Sequence, residues 1–465
     1  MRRGAVLLAM LMVVGGLLGL WAFLKQPAEE AAVETPPTQS SYEMLYVRPL
    51  SDFQGMTVQL SDGSAFSVVS DMVFDERGSL LGVRSSLAQP LLVVGQEDFA
   101  LSSISYQMML LTAQNLPFTA AYEGLDRDAC GLNSPAARIT ITYETGDPIE
   151  LTIGRLTASG YSCYVALTGD DRVYLVPYDF HQVMTQPLNA HHRLPGALTA
   201  SADGAVQIAQ VSADRTMWLA TRTSDQLLPW QVERPFTHGG SSDRITAFIE
   251  GVCAIHAEAY EATVQDAAGL AAYGLDAPQR LVVALSDGTI RDIHVGSDAG
   301  GGQVYVRMDQ TGDVYRISRA QLSFLDTAGE EGLLDRFVAL VPSSQVSAVT
   351  VTRGDHSCVL TRETRDGEAI YTRDGTALSA DAFAALYRAL VGLSFDKLAD
   401  GDAPEAEPLA QITYQLLDGT AQRVTFYPWD AYYVFVETGG GGAFLVRRTH
   451  LDELLGPFEM EEDEP

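Results

Sequence analysis

The chain has 465 residues, 60 acidic and 30 basic, for a net charge of −30. Its length predicts roughly three domains, and 46% hydrophobic against 19% charged residues predicts that most of it folds. The negative field repels phosphate, which excludes nucleic acid and anionic headgroups as partners and leaves cationic partners or plain solubility.

The first residues bear on location. Arg2 and Arg3 precede an uncharged run, residues 4–24, long enough to cross a bilayer as a helix. Arginines on the short side predict a cytoplasmic stub at 1–3, a transmembrane anchor at 4–24 and an extracytoplasmic bulk, so a single-pass protein of the cell membrane. A cleaved signal peptide is the rival reading. Its apolar core is shorter, and no A-x-A site follows Leu24. Residues 25–41, rich in Pro, Glu and Ala, read as a flexible linker.

From Tyr42 onward strands dominate. Residues 56–60 alternate in period two, and Asp62-Gly63 turns the chain into 65–69. The dipeptide recurs at Asp203-Gly204, Asp287-Gly288, Asp366-Gly367, Asp374-Gly375 and Asp418-Gly419, each read as a hairpin turn with positive φ at both residues. A helix is expected over 102–116, with Ile104, Met108, Met109 and Leu111 on its core side. The motif region 130–177 follows, then a short amphipathic piece over 178–184 and a loop at 189–195.

The second unit begins with strands at 205–211 and 216–221, then a capping loop at 237–243. Ile245, Phe248, Ile249, Val252 and Ile255 recur at helical spacing. Strands near 281–285, 290–295, 304–308 and 314–317 follow, and a short helix at 319–325. The third unit repeats this order. Its strands are at 346–351 and 358–361, and Ser379 caps a helix carrying Phe383, Leu386, Leu390 and Leu393. Four strands lie at 412–416, 424–427, 432–437 and 444–447, and Thr449 caps a closing helix. The expected fold class is α+β: three tandem units at 42–197, 198–342 and 343–458, each a twisted antiparallel sheet with a packed helix, before an acidic tail at 459–465.

One stretch is written twice. Gly274-Leu275-x-x-Pro278 matches Gly131-Leu132-x-x-Pro135; Gly296 matches Gly154, Tyr305 matches Tyr164 and Tyr315 matches Tyr174. These residues read as structural. Gly131 and Gly274 suit positive-φ turns, Pro135 and Pro278 suit strand starts, and the tyrosines suit rings laid on a sheet with hydroxyls at its rim. The third unit has residues 401–408 at this place and lacks the motif. A function carried on such a framework is expected where the copies differ, in the loops 157–162, 297–302 and 437–442.

Chemistry-bearing patterns are sparse. The histidines (His181, His191, His192, His238, His256, His294, His356 and His450) form no H-E-x-x-H, and His191-His192 read as a solvated loop. No G-x-S-x-G elbow is present, and Gly239-Gly-Ser-Ser lacks a P-loop lysine. The glycine runs 300–302 and 439–442 suit wide hairpin turns. Cys130, Cys163, Cys253 and Cys358 form no C-x-x-C pair; they read as small buried hydrophobes, with a Cys130–Cys163 disulfide as the alternative. No catalytic, metal or cofactor residue is assigned.

The motif residues resemble the bacterial "domain of unknown function 4340" family: a Gly-Leu-x-x-Pro element, two strands, a Gly-ending strand, a Tyr strand and a Val-Tyr strand. The likeness is good over 198–341, fair over 42–197 and poor over 343–458. Leu333-Leu-Asp-Arg-Phe337 is similar to the family's exit segment. The resemblance implies tethering outside the membrane, and some members are similar to accessory components found with ABC transporter subunits. It implies no catalytic residues. The expectation is a non-enzymatic scaffold or accessory subunit of a membrane transport or envelope complex, with ABC transporter components as the implied partners. A small-ligand or glycan-binding module using a groove between units is the alternative, and an envelope hydrolase with a dispersed site is the last.

Overall fold

A computed structural model describes residues 43–212, 215–225, 228–308, 312–328, 331–365 and 367–458. The expected cytoplasmic stub, the anchor, the whole linker and the acidic tail lie outside the described residues. No helix among the described residues is long and apolar enough to cross a membrane. The fold is rich in antiparallel sheet with few helices, so it is α+β in the coarse sense expected.

Two compact bodies form. One holds the described residues up to Phe99 together with Ser103–Pro187; the other holds Ala100–Ser102 and the described residues from Leu188 onward. The first body contains an eight-stranded sheet. Its order is Leu91–Val93, Ala65–Ser70, Phe53–Leu60, Ala137–Tyr143, Ile149–Leu156, Ser162–Leu167, Val173–Pro177 and Ala120–Tyr122. A small hairpin, Met72–Phe74 with Leu80–Val83, is inserted before the edge strand.

The second body contains two nine-stranded sheets. One runs His238–Gly239, Trp230–Arg234, Arg215–Arg222, Ala205–Ser212, Gln279–Leu285, Ile290–Gly300, Gln303–Arg307, Asp313–Ser318 and Ala259–Thr263. The other runs Thr376–Leu378, Glu368–Arg373, His356–Arg365, Val346–Arg353, Ala410–Leu416, Ala421–Pro428, Tyr433–Thr438, Ala443–Arg447 and Lys397–Leu398. In all three sheets an early strand pairs with the strand that opens the four-stranded meander, at the sheet's centre.

Alternation builds these strands. In Ala137–Tyr143 the residues Ala137, Ile139, Ile141 and Tyr143 are buried while Arg138 and Thr142 are exposed. Each buried large side chain contributes about 1.5–3 kcal/mol relative to exposure. The helix Ser242–Ala254 turns Ile245, Phe248, Ile249, Val252 and Cys253 inward, and Ala380–Val391 turns in Phe383, Tyr387 and Leu390. Ser379 caps the latter by accepting the Ala382 N–H at 3.2 Å.

Several local expectations are corrected. The helix Ser103–Gln114 buries Ser105, Met109, Thr112 and Ala113, leaving Ile104 and Leu111 exposed. Met109 is buried as expected, but the rest of the buried stripe is small or polar, with the Thr112 hydroxyl donating to the Met108 carbonyl, so an apolar-residue count misplaces Ile104 and Leu111. Asp203-Gly204 is no hairpin: it lies in the 3-10 turn Ala202–Gly204, whose Ser201 hydroxyl accepts the Asp203 N–H. Both residues of Asp374-Gly375 have positive φ. At Asp62-Gly63, Asp287-Gly288 and Asp418-Gly419 only the glycine does, because these loops have four residues and the aspartate instead accepts the N–H two residues on. Thr449 lies inside the helix Arg448–Leu455, and Arg447 holds the cap position.

Candidate functional site

The repeated motif forms one backbone contact, made twice. Gly131 and Gly274 have φ of 74° and 66°. That conformation turns the chain so that the Cys130 carbonyl meets the Arg155 N–H at 3.0 Å and the Tyr273 carbonyl meets the Ser297 N–H at 2.8 Å. Leu132 and Leu275 are buried beneath the turn, and Pro278 directly precedes Gln279–Leu285. Tyr174 and Tyr315 are buried, each donating its hydroxyl to a nearby carboxylate, Asp170 or Asp313. Tyr164 and Tyr305 are half-buried, and Tyr305 packs edge-on to Tyr273. Pro135 is also half-buried, two residues ahead of Ala137–Tyr143.

The four thiols are free and buried. Cys130 and Cys163 therefore do not pair, and burial pushes the Cys163 thiol up to about 12.

His191 and His192 are not solvated; they are 1% and 3% exposed. Their segment is pinned because the Ser102 N–H donates to the His191 carbonyl and the Arg193 N–H to the Ala100 carbonyl. The His192 ring stacks on Tyr260 with centroids 4.0 Å apart, and its Nε2 lies 3.6 Å from Asp313 Oδ2. Asp313 also accepts hydrogen bonds from Thr263 and Tyr315. Sequence reasoning missed this cluster because its members are spread over residues 192–315. It ties the segment after Leu188 to the second sheet.

The second and third sheets meet at a seam of backbone hydrogen bonds. The segment 333–338, which carries the exit motif, makes most of them. The Ser241 N–H donates to the Leu333 carbonyl, the Asp335 N–H to Gly239, the Phe395 N–H to Arg336 and the Val338 N–H to Leu393. The Thr237 N–H donates to the Gly440 carbonyl at 3.1 Å. Gly440 and Gly442 permit this: a Cβ at Gly440 would lie 2.2 Å from the Thr237 carbonyl oxygen, and one at Gly442 would meet Phe236 and Phe444. The run 439–442 thus serves close packing as well as a turn.

Beside the seam lies a cleft of about 440 Å³, within the usual range for small-molecule sites. Its second-sheet wall includes Gln231, Thr237, His238 and Asp335, and its third-sheet wall Gln422, Arg423 and Thr438. His238 is buried against Phe236, Phe395 and Phe444, with Nε2 3.1 Å from the Asp335 carbonyl. Burial pushes its pKa down, outweighing the carbonyls of Asp335 and Phe337. Asp335 Oδ1 accepts the Phe337 N–H at 3.0 Å. The cleft offers donors, acceptors and both signs of charge. Among the described residues no group of three or more His, Cys, Asp or Glu is placed to hold a metal ion.

Of the loops expected to carry function, 437–442 borders this cleft through Thr438, Gly439 and Gly440. It is not the counterpart of the other two. The Tyr161, Gly302 and Tyr432 carbonyls each accept the N–H of a closing helix's first residue, from Tyr178, Arg319 and Arg448. The third counterpart is therefore the tip at 429–432. Without the Gly-Leu-x-x-Pro anchor, the glycine run draws the alignment one hairpin too far.

The chain matches no curated protein and no solved structure. One family model matches residues 230–411, beginning at the strand Trp230–Arg234 and ending within Ala410–Leu416. The match thus covers the segment 333–338 and the second-sheet wall of the cleft from Trp230 on, and it stops short of the third-sheet wall residues Gln422, Arg423 and Thr438. The chain therefore carries, over residues 230–411, a member of the family described as a domain of unknown function, DUF4340.

Proposed function

We propose that this is a membrane-anchored, extracytoplasmic, non-enzymatic protein that acts as a scaffold or accessory subunit of a membrane transport or envelope complex, with ABC transporter components as candidate partners. In this reading residues 42–197, 198–342 and 343–458 are tandem copies of one unit. The common strand order of the three sheets supports that, as does the duplicated backbone contact beside Gly131 and Gly274 in two of them. The uncharged run after Arg2 and Arg3 supports the anchor.

The observation that carries the partner role is a hairpin tip. Tyr432 is 77% and Trp429 42% exposed in the third sheet. The turn is held rigid, since Asp430 Oδ1 accepts the N–H groups of both Tyr432 and Tyr433 at 2.7 Å. Rigid exposed aromatics of this kind are the usual anchors of protein interfaces. Crosslinking in intact cells from this tip tests the role: specific membrane proteins should be captured, and capture of none, under conditions that trap a known complex, contradicts it.

The cleft favours a second reading, an extracytoplasmic small-ligand-binding module, because it combines adequate volume with convergent polar groups. Titration calorimetry of the full-length chain with charged and neutral small ligands tests it.

A further inference from the structure

We infer that the cleft between the second and third sheets takes a short peptide with free termini, its carboxylate on Arg423 and its ammonium on Asp335. This rests on the small-ligand reading and gives it a ligand class. The two charges stand on opposite walls: Asp335 in the segment bordering the second sheet, Arg423 in the third-sheet strand Ala421–Pro428. Each rises from fixed backbone. The Asp335 N–H donates to the Gly239 carbonyl and its carboxylate accepts the Phe337 N–H. The Arg423 carbonyl accepts the Gly439 N–H at 2.9 Å.

Gln231 and Gln422 line the same cleft and offer amide groups suited to peptide bonds, while Val338 and Leu340 give an apolar lining. The volume of about 440 Å³ exceeds what a single amino acid fills and suits two or three residues. A neutral glycan fits less well. A neutral ligand pairs neither charge, and the cleft's one tryptophan, Trp230, is 3% exposed with Arg222 over its ring, which leaves Phe337 as the exposed aromatic. A polyanion is opposed by the net charge of −30. A zwitterion meets a partner for each of its charges, and charge-assisted hydrogen bonds are the strong ones.

The test is titration calorimetry of the full-length chain in detergent with four probes: trialanine, N-acetyl-trialanine, the doubly capped N-acetyl-trialanine amide and a neutral oligosaccharide. Trialanine should bind and the doubly capped peptide should bind at least about tenfold more weakly, a difference of about 1.4 kcal/mol. Arg423→Gln should weaken trialanine by a similar factor. Arg423 is exposed, so this change leaves the fold intact, as unchanged circular dichroism would check. Asp335→Asn should weaken trialanine while leaving N-acetyl-trialanine unaffected, which separates loss of the ammonium contact from a loosened segment. Equal affinity for free and capped peptides, or oligosaccharide binding indifferent to Arg423→Gln, overturns the peptide inference and leaves a ligand-binding cleft. Binding of none of the probes overturns the inference, and a silent wider panel of charged and neutral small ligands then removes the small-ligand reading as well.

Discussion

Gly296 backs directly onto Tyr273: a Cβ at Gly296 would lie 2.3 Å from the Tyr273 carbonyl oxygen and 2.9 Å from Leu275 Cγ. The first sheet repeats the arrangement, with 2.2 Å between a Cβ at Gly154 and the Cys130 carbonyl oxygen. No real Cβ tolerates such a distance to backbone. Gly296→Ala should therefore destabilise the second body by about 2–3 kcal/mol, the cost of overpacking a site that cannot yield. Gly302→Ala is the control. Its φ is 78° with nothing within 4 Å, so only the left-handed penalty of about 1–2 kcal/mol applies. Urea denaturation of the two variants compares them directly.

Acid should weaken the second sheet through Asp292. Burial pushes this carboxyl up, but His294 and Arg280 outweigh it by hydrogen bonds and charge and hold it at about 2. A folded pKa below the unfolded value of about 3.9 means stability that is complete above pH 4 and lost as pH falls towards 2. Asp292→Asn should flatten that part of the profile, seen in melting temperature against pH. An unchanged acid slope contradicts the pairing.

A second pH effect belongs to His238. Its lowered pKa reflects a neutral ring buried at the seam. The unfolded chain binds the proton more readily, so stability is complete above about pH 6.5 and falls as pH drops below it. His238→Gln should remove this step and leave the one between pH 4 and 2. Melting temperature measured every half unit from pH 8 to 2 separates them.

All four thiols are buried and free, and burial raises each thiol's pKa. A thiol-specific reagent should label none in the native protein and four in denaturant without reductant. Two fewer in denaturant would indicate a disulfide.

Much of the fold was legible because period-two alternation and Asp-Gly turns are written locally. The central strands, the helix capped at Ser379 and the Gly131 and Gly274 turns follow from such patterns. The edge strands His238–Gly239 and Lys397–Leu398 do not, since two residues carry no period. The helix face of Ser103–Gln114 was hidden because small and polar residues pack inward. The cleft was the least legible part. Gln231, Asp335 and Arg423 are distant in sequence, and each alone looks like a solvated polar residue. The faint signals were the exit motif and the glycine run, which meet at the seam through the contacts of Thr237 and Asp335 with Gly440 and Gly239.

The central claim is that an anchored protein presents its folded body to membrane partners outside the cytoplasm. It is tested most directly by placing a photoreactive amino acid at Tyr432 and irradiating intact cells. The account predicts crosslinks to a small, reproducible set of membrane proteins, lost when the probe is moved to an exposed site away from the tip such as Glu363. The same pattern of products from both positions, or none from Tyr432 while a known complex is captured in parallel, would contradict it.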